Sequence, residues 1–148
     1  MSQWDAPAGG GRAALSALIR QQHTVAMSDH DSWIDQLLYL PRNYKRGSKS
    51  VLQLLDETGL PHPLPTDLAQ LVAHRLRRSP ELVDDWQLYS YDKRAGGPQP
   101  YLKEREVGIY DDDFRDVVHY DDAVDACADF VVRETEQLLQ VARARKRR

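Results

Sequence analysis

Four aspartates crowd one short stretch of this chain: Asp111, Asp112, Asp113 and Asp116. Carboxylates at that density suit a hard cation, which takes several oxygen ligands from a fixed loop. The run lacks the spaced D-x-D-x-D-G pattern and the distal bidentate glutamate of a calcium loop. The expectation is a solvated hairpin turn that doubles as an acidic protein-binding patch, with no metal. His119 beside Asp121, and His74, are the candidate general acid–base groups. A histidine next to an aspartate is common without catalysis. The sequence carries no G-x-S-x-G elbow, Cys–His pairing, H-E-x-x-H helix or glycine-rich phosphate loop. Cys127, the single cysteine, falls in an apolar helical stripe, the setting of a buried structural thiol rather than a nucleophile. The chain therefore reads as non-catalytic, with no catalytic residue and no cofactor.

The most distinctive triplet is Asp92-Lys93-Arg94. A guanidinium at Arg94 can fork two hydrogen bonds onto a carboxylate, and Asp92 is the internal partner that would order it. Tyr89, Tyr91 and Tyr101 flank the triplet. Tyrosine is flat, amphipathic and low in rotamer entropy, which suits an interface. Together with Asp111, Asp112, Asp113 and Asp116, these residues make up the expected partner-binding surface.

Charge is segregated along the chain. Residues 1–80 hold nine Lys/Arg against seven Asp/Glu, a net of +2; residues 81–136 hold six against sixteen, a net of -10; residues 137–148 hold five basic residues and no acidic one. An acidic segment repels nucleic acid and steers basic proteins toward it. With 148 residues and 41% hydrophobic side chains, the chain is long enough to bury a core and is not globally disordered. No apolar run approaches the ~20 residues of a membrane span. The first residues, MSQWDAPAGGGR, lack the basic start and apolar middle of a secretory signal. A cytoplasmic protein is the expectation.

The elements that must position these residues follow from periodicity. Residues 1–12 read as a flexible leader around Gly9-Gly10-Gly11, residues 13–142 as one α+β domain, and residues 143–148 as a basic tail. Helices are expected from Ala13 to about Val25, and from a Ser28 cap through Trp33, Ile34, Leu37 and Leu38 to a stop at Pro41. Arg42 to Gly47 reads as a short basic loop. Ser48 or Ser50 opens a helix over Val51–Thr58, and Gly59 ends it. Pro61, Pro63 and Pro65 impose an extended linker. Thr66 caps the next helix, with Leu68, Leu71, Val72 and Leu76 inward. Ser79-Pro80 starts a short helix, Glu81 to Asp85. Trp86, Leu88 and Ser90 then alternate with Gln87, Tyr89 and Tyr91, which predicts a strand. Further strands are expected at Glu106–Tyr110 and Phe114–Tyr120, joined antiparallel by the Asp111–Asp113 turn. Asp121 or Asp122 caps a last helix, whose stripe of Val124, Cys127, Ala128, Val131, Thr135, Leu138 and Ala142 would cover one face of the sheet. N-terminal helices, about three antiparallel strands and a long C-terminal helix make an α+β fold.

Other function classes have their own carriers. A nucleic-acid-binding regulator would use Arg42–Lys49, Arg75–Arg78 and the tail, but the connector before Asp67 holds too many prolines for a helix-turn-helix, and the -10 segment opposes phosphate binding. A small enzyme would need a pocket holding His119 or Arg94.

Three stretches together resemble a known group. They are Lys49-Ser50-Val51-Leu52-Gln53-Leu54-Leu55-Asp56-Glu57-Thr58-Gly59; Pro80 followed by Trp86-Gln87-Leu88-Tyr89-Ser90-Tyr91-Asp92-Lys93-Arg94; and the strand pair closed by the Ala123–Leu139 helix. Over roughly residues 48–139 the chain is similar to small bacterial immunity-type proteins of polymorphic toxin systems with a W-x-x-Y-S-x-D-K-R core. The resemblance implies a stoichiometric inhibitor that binds a protein toxin domain, such as a basic nuclease, and has no catalytic motif of its own.

Overall fold

The computed structural model describes residues 32–93 and 97–147. The chain divides into two compact units, Met1–Trp33 and Ile34–Arg148. The expected leader, the helix from Ala13, the Ser28 cap and Arg94 all lie outside the described residues.

Within the second unit a first helix, α1 (residues 32–38), breaks at Tyr39. The chain then turns directly into α2 (Leu40–Arg46), with Pro41 in its first turn and buried. Pro41 therefore starts a helix instead of closing one, because a missing N–H is harmless in a first turn. The basic stretch Arg42–Arg46 is helical, not a loop. α3 (Val51–Glu57) begins as expected. The Ser50 hydroxyl accepts from the Gln53 N–H, and the Gln53 side chain accepts from the Ser50 N–H at 2.8 Å, a reciprocal capping box. α4 (Leu68–Arg78) buries Leu68, Val72, Ala73 and Leu76. Asp67, not Thr66, holds its N-cap position, and no side chain caps it.

The largest departure is α5 (Glu81–Asp92). The predicted Trp86–Tyr91 strand is the second half of this helix. Alternation over six residues fits either period, but the buried set Leu82, Val83, Trp86 and Tyr89 repeats at three and four. Leu88 and Tyr91, which a strand would place on opposite faces, are 54% and 86% exposed. The strand missing from that position lies further on.

Three strands, β1 (Gln99–Lys103), β2 (Glu106–Tyr110) and β3 (Phe114–His119), form an antiparallel sheet in the order β1-β2-β3. The long helix α6 (Ala123–Lys146) packs on β1 and β2 and against α4 and α5. Asp122 caps it, accepting from the Val124 N–H. It runs through most of the basic tail. The fold is α+β, helices first and the long helix backing the sheet. Trp86, Phe130, Leu37, Leu38, Leu76, Leu82, Val72, Val107 and Val131 form the core. The Trp86 indole donates to the Leu38 carbonyl at 3.2 Å, so its polar edge is satisfied inside. α5 holds the start of the sheet: Ser90 Oγ accepts from the Leu102 N–H at 2.7 Å, and the Gln87 amide closes both bonds with the Glu104 backbone at 2.8 and 2.9 Å.

β3 is the outer strand, and its register slips opposite Val107 and Ile109. At that irregularity stands Gly108. A Cβ there would meet the Tyr101 ring at 2.9 Å and the Arg115 carbonyl at 3.0 Å. The carbonyl belongs to the backbone and cannot swing aside. Gly108→Ala is therefore expected to destabilise the protein by about 1–3 kcal/mol, seen as a lower urea midpoint by circular dichroism.

Candidate functional site

Two sites emerge, one inside and one outside. The inner one is a cluster of opposite charges between α5 and α6. Glu134 is only 4% exposed. The Tyr89 hydroxyl donates to its Oε2 at 2.6 Å, and the Lys93 ammonium donates to its Oε1 at 2.6 Å. The ammonium also sits 5.2 Å from the centre of the Phe130 ring, a cation–π contact. Trp86, Tyr89 and Phe130 meet edge to face, with centroids 5.3 to 6.4 Å apart. A charge taken this far from water persists only with a partner and hydrogen bonds. Burial, then the Glu134 charge and hydrogen bond, pushes the Tyr89 phenol far up. Burial pulls the Lys93 ammonium down, and Glu134 offsets part of that.

This cluster forms the floor of a cleft of about 630 Å3 between α2–α3 and α5–α6. Leu52, Leu88, Leu138 and Val141 contribute apolar wall. Arg42 and Asp85 bridge its side at 2.5 Å. Lys45, Arg145 and Asp92 complete the charged lining.

The outer site is the β2–β3 hairpin. All six residues of β3 are exposed, among them the apolar Phe114, Val117 and Val118. Tyr110 and Tyr101 stack against Phe114 at 5.1 and 5.4 Å. The turn holds Asp111, Asp112 and Asp113, all exposed. Asp112 and Asp116 take positive φ, 61° and 53°, a conformation that aspartate tolerates better than most residues. α6 grips the hairpin's base: Arg133 donates to the Asp116 carbonyl at 3.1 Å and to Asp129 at 2.8 Å, and Tyr120 donates to Asp129 at 2.6 Å. Tyr101 donates to Glu106 at 2.6 Å. Partial burial and these carboxylates push the Tyr101 and Tyr120 phenols up to about 12.

The expected partner-binding set thus splits. Tyr89 and Lys93 are committed to Glu134 inside, with Asp92 at the cleft rim. Tyr101, Asp111, Asp112, Asp113 and Asp116 belong to the sheet and its hairpin. Tyr91 stands free on the outer face of α5. The Asp92–Lys93 pairing expected on one surface is absent, because a helix ending at Asp92 turns Lys93 inward to α6. Among the described residues, no group of three or more His, Cys, Asp or Glu side chains could hold a metal ion. His119 is exposed, 3.8 Å from Glu106. Cys127 is buried, and burial pushes its thiol up. Arg75 and Arg77, the carriers of a nucleic-acid reading, are paired with Asp35 and with Asp122 and Asp125. No helix among the described residues is long and apolar enough to cross a membrane. Compared with family models, curated proteins and solved structures, the chain matches none.

Glu134 was missed in the sequence reading. Its signal was a lone carboxylate inside an apolar stripe, between Val131 and Leu138. Glu134→Ala strands the Lys93 ammonium, and a loss of about 3–5 kcal/mol is expected, read from the urea midpoint. The phenol of Tyr89 gives a second test. The unfolded chain releases that proton near pH 10, so the fold binds more protons above it and stability falls as pH rises. Lys93 acts in the opposite sense below its ordinary value, so the comparison is between proteins. Between pH 10 and 12, wild type should lose more stability than Tyr89→Phe.

Proposed function

We propose that this protein is a non-catalytic binding protein that captures a basic protein partner on its β2–β3 hairpin. The resemblance over residues 48–139 makes an immunity-type inhibitor of a toxin domain the particular form of this reading. The observation that carries it is β3, an outer strand exposed along its whole length although half of its residues are apolar. Exposed outer strands are normally blunted by charge, bulges or cover, because they pair readily with other chains. Here the irregularity lies on the side of β2, and the outer backbone edge of β3 has no strand beside it.

The turn supplies the charge. Asp111, Asp112, Asp113 and Asp116 face one nearby guanidinium, Arg115, which lies 3.8 Å from Asp111. A rim of carboxylates around Phe114, Tyr110 and Tyr101 suits a basic surface with an apolar centre. The aromatic trio supplies rigid contact area and the aspartates supply steering. Blocking an active site needs no chemistry from the inhibitor, only a stiff, complementary surface. The Arg133–Asp129–Tyr120 network stiffens the hairpin from behind.

The test is co-expression with the protein encoded beside this one, followed by copurification and titration of the complex. A one-to-one complex is expected. Reversing Asp112, Asp113 and Asp116 to lysine should weaken it at least tenfold and flatten its salt dependence. Phe114→Glu should weaken it without changing the salt slope. Binding untouched by either variant would reduce the hairpin to solubilising surface.

A further inference from the structure

We propose that the cleft between α2–α3 and α5–α6 is a binding site for a small monocarboxylate with an apolar body. It is a second site, separate from the hairpin, and does not depend on the reading of the hairpin. Its volume, about 630 Å3, falls within the usual span of small-molecule sites.

Charge selects the ligand. The lining carries four cations, Arg42, Lys45, Lys93 and Arg145, against three carboxylates, Asp85, Asp92 and Glu134. That is a surplus of one positive charge in a protein of net charge -3. Arg42 is paired with Asp85, and Lys93 with Glu134. Lys45 and Arg145 have no ion-pair partner among the described residues. They come from α2 and from the far end of α6, almost exactly one hundred positions apart in sequence, yet line one cleft. An arginine and a lysine together offer the forked and the point-like donors that a carboxylate accepts.

Lys93 adds donors at the floor. Its ammonium has three N–H groups, and one of them reaches Glu134. Its side chain is 13% exposed, so bulk water has little access to the other two. Leu52, Leu138 and Val141 flank these groups with apolar surface, which an aliphatic or aromatic body would cover. Asp92 at the rim disfavours a second carboxylate. The combined features select one negative head on an apolar body.

The probe is dodecanoate, kept below its micelle concentration and titrated calorimetrically into the full chain. One-to-one saturable binding is expected, at least tenfold tighter than for dodecanol and for the dodecyltrimethylammonium cation. Lys45→Gln with Arg145→Gln should weaken it at least tenfold, and both side chains are exposed, so folding should be unaffected. Val141→Trp, which narrows the cleft, should weaken it as well. Absence of saturable binding, equal binding of the cationic amphiphile, or indifference to both variants would overturn the site.

Discussion

Removing the Glu134 carboxylate from water costs several kcal/mol unless its neighbours replace the lost hydration. Tyr89 and Lys93 do so from the last two turns of α5, and Phe130, one turn before Glu134 on α6, lies beneath the ammonium. These contacts impose strict geometry. The hydroxyl and the ammonium reach the two carboxylate oxygens only if residues 89 and 93 lie one turn apart on one helix face. Trp86, a turn earlier, then falls against Phe130 and reaches Leu38. One buried charge thus links α5, α6 and the end of α1, and places the floor of the cleft.

The same helix pair separates the two surfaces. On one side, α5 turns Ser90 and Gln87 toward the sheet and anchors β1. α6 continues this with Arg133 under the hairpin, leaving β3 fixed at its base and open along its outer edge. On the other side, α5 and α6 part around Lys93 to leave the cleft toward α2 and α3. Acidic and aromatic groups gather on the hairpin, and surplus cations gather in the cleft. A molecule of modest net charge can in this way present two surfaces of opposite character.

Much of the fold was legible in the residues. The Ser50 capping box, the α4 stripe, the β2–β3 hairpin and the apolar stripe of α6 all depend on local rules of period and capping, and they stand as read. Two proline and aromatic stretches were not legible. Pro41 fits the end of one helix and the first turn of another, and only the packing of Leu40 and Pro41 inside decides between them. Trp86 to Tyr91 satisfies both periods over six residues. What decides it is a contact with Glu134, about forty-five positions away, which no local pattern encodes. The hairpin's aspartates were readable as exposed from their density in a turn. The cleft was not, because it joins Lys45 to Arg145 through tertiary packing alone.

A double-mutant cycle on Lys93 and Glu134 reaches the central claim most directly. Lys93→Met, Glu134→Gln and the combined variant would be unfolded in urea beside the wild type. If the buried pair organises α5 against α6, the coupling energy should exceed about 2 kcal/mol, well above the few tenths expected of independent sites. A coupling near zero would mean that the two side chains act separately, and that something other than their contact holds the helices together.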